Sequence, residues 1–169
     1  MSGKLIWITG LAGSGKTTIG KSVYKALKKK QNNTVFIDGD TYREITGQTF
    51  GHDKKARLNV AFQIARMCKF MTGQNINVVC STISLFKEIH RFNRLNTKKY
   101  YEIFIDTDLE VLIKRDQKKL YSKAIKGKIK NVVGVDMSFD KPINCHLHLT
   151  NNSKKEIKVN INKIINLVK

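Results

Sequence analysis

The sequence predicts an α/β fold with three layers, in which a central parallel β-sheet lies between helices on both faces. Short apolar runs alternate with amphipathic stretches along the chain, the pattern of repeated strand–helix–strand units. A glycine-rich loop joins the first of these strands to the first helix. The chain has 169 residues and neither a repeat nor a low-complexity linker. We therefore expect residues 1–169 to form one domain.

Three apolar runs of strand length lie in the N-terminal half, at residues 5–9, 34–38 and 78–81. Apolar side chains recur at helical spacing between residues 16 and 30, which predicts a helix there, and the turn 31–33 follows it. A polar loop, 47–53, precedes a second predicted helix. That helix has one apolar stripe, formed by Val60, Ile64, Met67, Cys68 and Met71.

The C-terminal half continues the alternation. A helix is predicted from the spacing of Phe86, Ile89 and Phe92, and the apolar run 102–106 predicts the fourth strand. Three further elements complete the predicted fold: a helix at 109–115, a short strand at 145–149 after Pro142, and a last helix at 154–168.

The glycine-rich loop fits the phosphate-loop pattern, in which two spaced glycines are followed by Lys and Ser or Thr. Glycine lets backbone N–H groups close around an anion, and the helix that starts near Lys16 points its positive end at the phosphates. We expect Lys16 to reach the β- and γ-phosphates and Thr17 to offer its hydroxyl to Mg²⁺. The residues predicted to hold ATP are Gly10, Leu11, Ala12, Gly13, Ser14, Gly15, Lys16, Thr17 and Thr18.

Two acids end the second predicted strand, in Asp38-Gly39-Asp40. Phosphoryl transfer needs a cation clamp, a metal ion, and a group that positions or deprotonates the acceptor. We expect Asp38 to act as the base and Asp40 to help hold Mg²⁺, although the sequence leaves the order of the two acids open. The triplet alone is also compatible with an acidic turn that caps the next segment.

The third predicted strand ends in Cys80-Ser81-Thr82, without the acidic residue that often holds Mg²⁺ in phosphate-loop ATPases. This absence favours a small-molecule kinase over a molecular motor. Arg43 is the predicted partner of a phosphate on the acceptor, because a guanidinium binds phosphate through two parallel hydrogen bonds.

Residues 115–134 form a cationic segment that we call the basic lid. Closed over the site, such a segment excludes water, so that the γ-phosphoryl reaches the acceptor and is not hydrolysed. Arg115 is the predicted charge stabiliser. Most of the lid's lysines are expected to be solvated, since they are too many all to act in catalysis: Lys118, Lys119, Lys123, Lys126, Lys128 and Lys130.

The charge balance favours polyanionic ligands, because 32 basic and 13 acidic residues give a net charge of +19. A nucleic-acid-binding protein that uses ATP only as a ligand is the alternative from a different functional class. The basic residues are spread along the chain and no recognisable nucleic-acid module is present. A small nucleotide is therefore the favoured partner, and no specific nucleic acid is expected.

Cysteine usage and hydropathy predict a cytoplasmic protein. Cys68, Cys80 and Cys145 have no metal-ligand spacing, which indicates reduced thiols. The sequence shows no signal peptide and no apolar run long enough to cross a membrane, so we expect no membrane association.

The ordered motifs resemble those of the adenylyl-sulfate kinase family over roughly residues 3–145. The resemblance is far more specific than a phosphate loop alone. It rests on Trp7 to Thr18, Asp38-Gly39-Asp40 with Arg43, Ser81 to Phe86, Glu102 to Asp106, Arg115-Asp116, Leu120-Tyr121 with Lys123-Ala124 and Gly127, and Ile129-Lys130 followed by Gly134-Val135-Asp136.

The resemblance implies a phosphate-loop kinase fold, ATP and Mg²⁺ as cofactors, and transfer of the γ-phosphate to the ribose 3′-hydroxyl of a nucleotide. It also implies a homodimer. The catalytic residues would be Lys16, Asp38, Asp40 and Arg115, with Thr17 and Asp40 at the metal. The acceptor would be bound by Arg43, His52, Arg57, Asn59, Ser81, Ile83, Ser84, Lys130 and Val132.

Two departures from the family pattern lie where the acceptor's adenine is clamped between aromatic rings. Gly51-His52-Asp53 stands where the family has Gly-Phe-Ser, and Val132 replaces the Phe of a Lys-Gly-Phe-Thr-Gly run. Each lost stacking contact removes roughly 1–3 kcal/mol. The phosphate side of the site matches the family while the base side differs, which is the pattern expected for a different acceptor nucleotide.

The family includes a relative that phosphorylates cytidine diphosphoramidate for capsule phosphoramidate synthesis, and the smaller pyrimidine fits these departures. We favour that acceptor, with His52 and Val132 flanking the base. Adenylyl sulfate is the alternative acceptor. Another small phosphate-loop kinase, acting on a nucleoside monophosphate or a sugar, is the runner-up among enzymes.

Overall fold

The structure, a computed structural model, describes residues 2–47 and 51–169. Its sheet is built from β1 (Lys4–Gly10), β2 (Thr34–Asp38), β3 (Asn77–Thr82), β4 (Lys99–Asp106) and β5 (Leu147–Thr150). All neighbouring strands pair in parallel, in the order β2-β3-β1-β4-β5. The predicted parallel α/β fold is therefore confirmed. Because the strands are parallel, their carboxyl ends share one edge of the sheet, where ligands bind in such folds.

Helices cover both faces of the sheet and complete the three layers. Their bounds are α1 (Lys16–Lys28), α2 (Gly39–Thr46), α3 (Lys54–Gly73), α4 (Lys87–Asn96), α5 (Leu109–Arg115), α6 (Leu120–Ile125) and α7 (Lys154–Val168). The α1 and α7 helices pack on one face of the sheet, and α3 and α4 pack on the other.

The central strand β1 is apolar from Leu5 to Ile8 because both of its faces are covered there. Its side chains alternate, with Ile6 and Ile8 in the core beneath α1 and α7, and Leu5 and Trp7 in the core beneath α3 and α4. All four are fully buried. Each such side chain contributes about 1.5–3 kcal/mol of burial free energy, so these two cores fix the strand edge that carries the site.

The helix α2 was not predicted. Asp38 caps it, with its Oδ1 atom accepting a hydrogen bond from the Asp40 backbone N–H at 3.0 Å. Because α2 starts at Gly39 and continues with mostly polar residues, it shows no apolar periodicity from which a helix could be predicted. Part of the predicted polar loop 47–53, residues 48–50, lies outside the described residues.

A third apolar cluster lies between the basic lid and the phosphate loop. It is formed by Leu11, Leu85, Phe104, Leu112, Tyr121 and Val133. The lid itself begins at the end of α5, continues through a 3₁₀ turn at Gln117–Lys119 and α6, and is followed by a compact turn. Its first half therefore packs against the sheet edge.

Candidate active site

A cavity of about 530 Å³ opens at the carboxyl edge of the sheet. The phosphate loop, the start of α2, the segment after β3 and the first turn of the basic lid surround it. Four of the predicted catalytic and metal-binding residues line it: Lys16, Thr17, Asp38 and Asp40.

The phosphate loop has the backbone that its glycines predict. Gly15 directly precedes α1 with φ at 90°, a left-handed conformation, and a side chain there would collide with the Asn151 amide. Lys16 directs its ammonium back across the loop, with Nζ donating to the Leu11 carbonyl at 3.2 Å. Burial lowers the pKa of Lys16 to about 8, while Asp38 and Asp40 act in the opposite direction.

The two acids make different contacts. Thr17 Oγ1 donates to Asp38 Oδ2 at 2.8 Å, so the predicted metal-binding hydroxyl lies against Asp38. Asp40 is 74% exposed and pairs with Lys118 of the basic lid at 3.0 Å. Asp38 rather than Asp40 therefore contacts the hydroxyl that is expected to bind the metal, and the roles of the two acids stay a prediction.

The donors around Thr17 suit Mg²⁺. A hydroxyl and carboxylate oxygens are hard ligands, and Mg²⁺ in kinases takes one or two carboxylates with substrate phosphates completing its shell. Within residues 2–47 and 51–169, no group of three or more His, Cys, Asp or Glu side chains could hold a metal without a substrate. Thr17 and Asp38 together fit an ion that arrives with ATP.

The end of β3 and the segment that follows it are fixed by hydrogen bonds. Ser81 Oγ donates to the Lys16 carbonyl at 3.1 Å, and Thr9 Oγ1 donates to the Ile83 carbonyl at 2.6 Å. The Ser84 and Thr82 hydroxyls lie 2.8 Å apart. Ser81, Ile83 and Ser84 all line the cavity, so the structure brings these three predicted residues to the site.

A polar network of His90, Arg94 and Glu102 contacts this segment through the Ser84 carbonyl. His90 Nε2 lies 3.2 Å from the Ser84 carbonyl, and its Nδ1 lies 3.4 Å from Glu102 Oε1. Arg94 pairs with the other Glu102 oxygen at 2.6 Å. Burial lowers the pKa of His90, and this effect outweighs the opposing attraction of Glu102.

One end of the cavity is cationic. Arg43, His52 and Arg57 all line it and lie close enough for their charges to interact. Arg57 Nε donates to the His52 carbonyl at 2.8 Å and its Nη2 donates to the Asn131 carbonyl at 2.9 Å. Burial and the two arginines lower the pKa of His52, which keeps the imidazole neutral near pH 7. This end is suited to an anionic group of a ligand.

Seven predicted site residues lie away from the cavity wall in the described structure: Gly10, Leu11 and Ser14 of the phosphate loop, and Asn59, Arg115, Lys130 and Val132. Arg115 instead donates to the Gly13 and Asn151 carbonyls at 3.0 and 2.8 Å, so it is not aimed at the cavity as a charge stabiliser would be. Val132 is buried with 3% exposure, and its neighbour Val133 lines the cavity in its place. Asn59 and Lys130 are exposed.

Apolar residues that are not among the predicted site residues also line the cavity, and they include Phe86, Leu120, Val133 and Phe139. Phe139 follows the predicted lid by a few residues, and no periodicity marks it. Lys118 is the one lysine among the six named in the lid that lines the described cavity, and all six are exposed. The solvation expected for most of them is observed.

The family model described as adenylylsulphate kinase matches residues 2–150 of this chain. The cytidine diphosphoramidate kinase of Campylobacter jejuni is 46% identical over 161 residues, covering 95% of this chain and 94% of that protein. A probable adenylyl-sulfate kinase of Pyrococcus abyssi is 35% identical over 144 residues, covering 85% of this chain and 83% of that protein.

A solved structure extends the likeness to the whole fold. The Mycobacterium tuberculosis APS kinase CysC, in complex with AMPPNP and APS, superposes with a TM-score of 0.88 at 28% identity. The match covers 98% of this chain and 97% of that one. An ATP analogue and an acceptor nucleotide are thus bound by a protein of closely similar architecture.

Proposed function

The chain belongs to the adenylylsulphate kinase family, and on that premise we propose that it transfers the γ-phosphoryl group of ATP to the ribose 3′-hydroxyl of a nucleotide. The observation that carries the proposal is one cavity holding Lys16, Thr17 and both acids beside a cationic end. A phosphate loop binds the donor, and the cationic end provides a separate place for a charged acceptor.

Each residue has a distinct role in this proposal. The phosphate loop binds the ATP phosphates, and Lys16 leaves its Leu11 contact to reach the β- and γ-phosphates. Thr17 and Asp38 would hold Mg²⁺, which would neutralise charge on the transferred group. Asp40 lines the same cavity and would accept the proton of the attacking hydroxyl, which exchanges the roles expected from the sequence.

The acceptor we favour is cytidine diphosphoramidate. Arg43 and Arg57 would bind its phosphate and phosphoramidate groups. His52 stands at the cavity where the family resemblance predicts a ring, and the apolar wall of Val133, Leu120 and Phe139 would contact the smaller pyrimidine. The 46% identity to a named cytidine diphosphoramidate kinase supports this choice.

Adenylyl sulfate is the second candidate acceptor. It is supported by the 35% identity to a probable adenylyl-sulfate kinase and by the TM-score of 0.88 to a kinase bound to APS. Both acceptors use the same donor site and the same attacking hydroxyl, so the choice between them affects only the base side of the cavity.

A competition assay tests the acceptor. Purified protein is given ATP and Mg²⁺ with equimolar cytidine diphosphoramidate and adenylyl sulfate, and both products are quantified by chromatography. We expect the cytidine product to exceed the adenine product at least about tenfold, the effect of one lost stacking contact. An excess of 3′-phosphoadenylyl sulfate would refute the cytidine assignment while leaving the kinase activity standing.

The proposed kinase activity also bears on the cellular compartment of the protein. We infer a cytoplasmic enzyme, since ATP and free thiols on all three cysteines fit that compartment. No helix in the described parts of the chain is long and apolar enough to span a bilayer. The homodimer implied by the family resemblance stays a prediction.

A further inference from the structure

Four consecutive carbonyls of the phosphate loop each accept a hydrogen bond. The Leu11 carbonyl accepts from the Ser14 N–H at 3.1 Å and from Lys16 Nζ. The next three accept from side chains outside the loop: Tyr121 Oη to Ala12 at 2.8 Å, Arg115 Nη1 to Gly13 at 3.0 Å, and Asn151 Nδ2 to Ser14 at 2.6 Å. The basic lid therefore supplies two of these three donors.

Each carbonyl fixes the N–H group of the following residue. In a planar trans peptide, the C=O and N–H bonds point to opposite sides. Holding the Ala12 carbonyl outward therefore turns the Gly13 N–H inward, and holding the Ser14 carbonyl turns the Gly15 N–H inward. Neither of these N–H groups has an acceptor within the part of the chain that the structure describes. They are the donors that a bound phosphate would satisfy.

The packing of the Tyr121 ring fixes the position of its hydroxyl at the Ala12 carbonyl. Its ring is fully buried in the apolar cluster with Leu11 and Val133, and only its hydroxyl meets the loop backbone. Burial raises the pKa of Tyr121 to about 12, so the hydroxyl keeps the proton that it donates at physiological pH. The hydrogen bond from Tyr121 to Ala12 thereby connects α6 of the basic lid to the phosphate loop.

We propose that Tyr121 is a positioning residue, whose hydroxyl holds the Ala12 carbonyl so that the Gly13 N–H is presented to the phosphates of ATP. Arg115 holds the next peptide through the Gly13 carbonyl, in place of the charge-stabilising role expected from the sequence, and the Ser14 N–H of that peptide donates to the Leu11 carbonyl. This inference rests on the proposed function. It makes the anchored part of the basic lid a support of the donor site as well as a cover for it.

Tyr121→Phe tests the proposal, because it removes the hydroxyl and keeps the ring that packs the cluster. The affinity for the non-hydrolysable analogue AMPPNP is measured by calorimetry with Mg²⁺ and without an acceptor. We expect the dissociation constant to rise about fivefold to tenfold, the effect of one lost hydrogen bond. At saturating ATP, kcat and the KM for the acceptor should stay within about twofold of the wild-type values.

Tyr24→Phe is the control, because Tyr24 is on α1, packs against Phe36 and should keep wild-type affinity without its hydroxyl. Equal affinity of Tyr121→Phe and the wild type would overturn the proposal. So would a general loss, in which the KM for the acceptor and kcat worsen together with a large drop in the unfolding midpoint. A wild-type protein that binds AMPPNP but phosphorylates no nucleotide would refute only the proposed function.

Discussion

Lys16→Ala is expected to lower phosphoryl transfer at least about 10³-fold, one of the two largest effects expected of single substitutions in this chain. Lys16 is the cation at the start of α1 that lines the cavity beside Asp38 and can reach the terminal phosphates. Its removal leaves the developing charge on the γ-phosphoryl without its nearest protein cation. The measurement is kcat/KM for ATP with the preferred acceptor at saturation.

Lys21→Ala is the matched control, since Lys21 lies on the same helix and is exposed to solvent. It removes the same charge from the chain and should keep near wild-type turnover. If Lys16→Ala retained more than a tenth of the wild-type rate, the assignment of Lys16 to the donor phosphates would be wrong.

Substitution of the two acids by Asn should separate their roles. Asp40→Asn is expected to lower kcat by about 10²- to 10⁴-fold while the KM for ATP changes little, because a general base acts only on the acceptor hydroxyl. Asp38→Asn should lower both kcat and the apparent affinity for Mg²⁺·ATP, because Asp38 accepts the Thr17 hydroxyl beside the metal position. Steady-state kinetics at varied Mg²⁺ concentration distinguishes the two patterns.

Glu44→Gln controls for charge loss on the same helix as Asp40, since Glu44 is exposed and does not line the cavity. We expect it to keep kcat within about twofold of the wild-type value. Reversed patterns, with ATP binding sensitive to Asp40 and only kcat sensitive to Asp38, would restore the order expected from the sequence.

Most of the fold was predictable because the strands of a covered parallel sheet are short apolar runs. Residues 34–38 and the helices at 109–115 and 154–168 coincide with the observed elements. The helix α2 was not predicted because the sequence feature that stabilises its start is an N-terminal capping residue. Asp38 accepts the Asp40 N–H, and a capping acid has the same sequence appearance as an acid that binds a ligand.

The site was predictable where backbone and sequence spacing determine it, as in the phosphate loop and the residues after β2 and β3. It was not predictable in the lid, where side-chain direction depends on tertiary packing. Asn131 and Gly134 both have positive φ, and the turn between them places Val133 at the cavity and buries Val132. Arg115 lies at the expected place in the chain, yet its guanidinium is bound to the outer side of the phosphate loop.

Tyr121 is another residue whose contact could not be predicted from the sequence. In the sequence it is identified only as part of a family motif, and the structure shows that its ring is buried. Which backbone carbonyl its hydroxyl meets depends on how α6 sits against the loop, and a single sequence carries no signal for that contact.

The position of the transferred phosphate tests the central claim most directly. The product made by the wild-type protein from ATP and its preferred acceptor is isolated, and phosphorus–proton coupling is measured by NMR. We predict a new phosphomonoester whose phosphorus couples to the ribose H3′ proton. A phosphate at any other position of the acceptor, or release of inorganic phosphate without a phosphorylated nucleotide, would contradict the account.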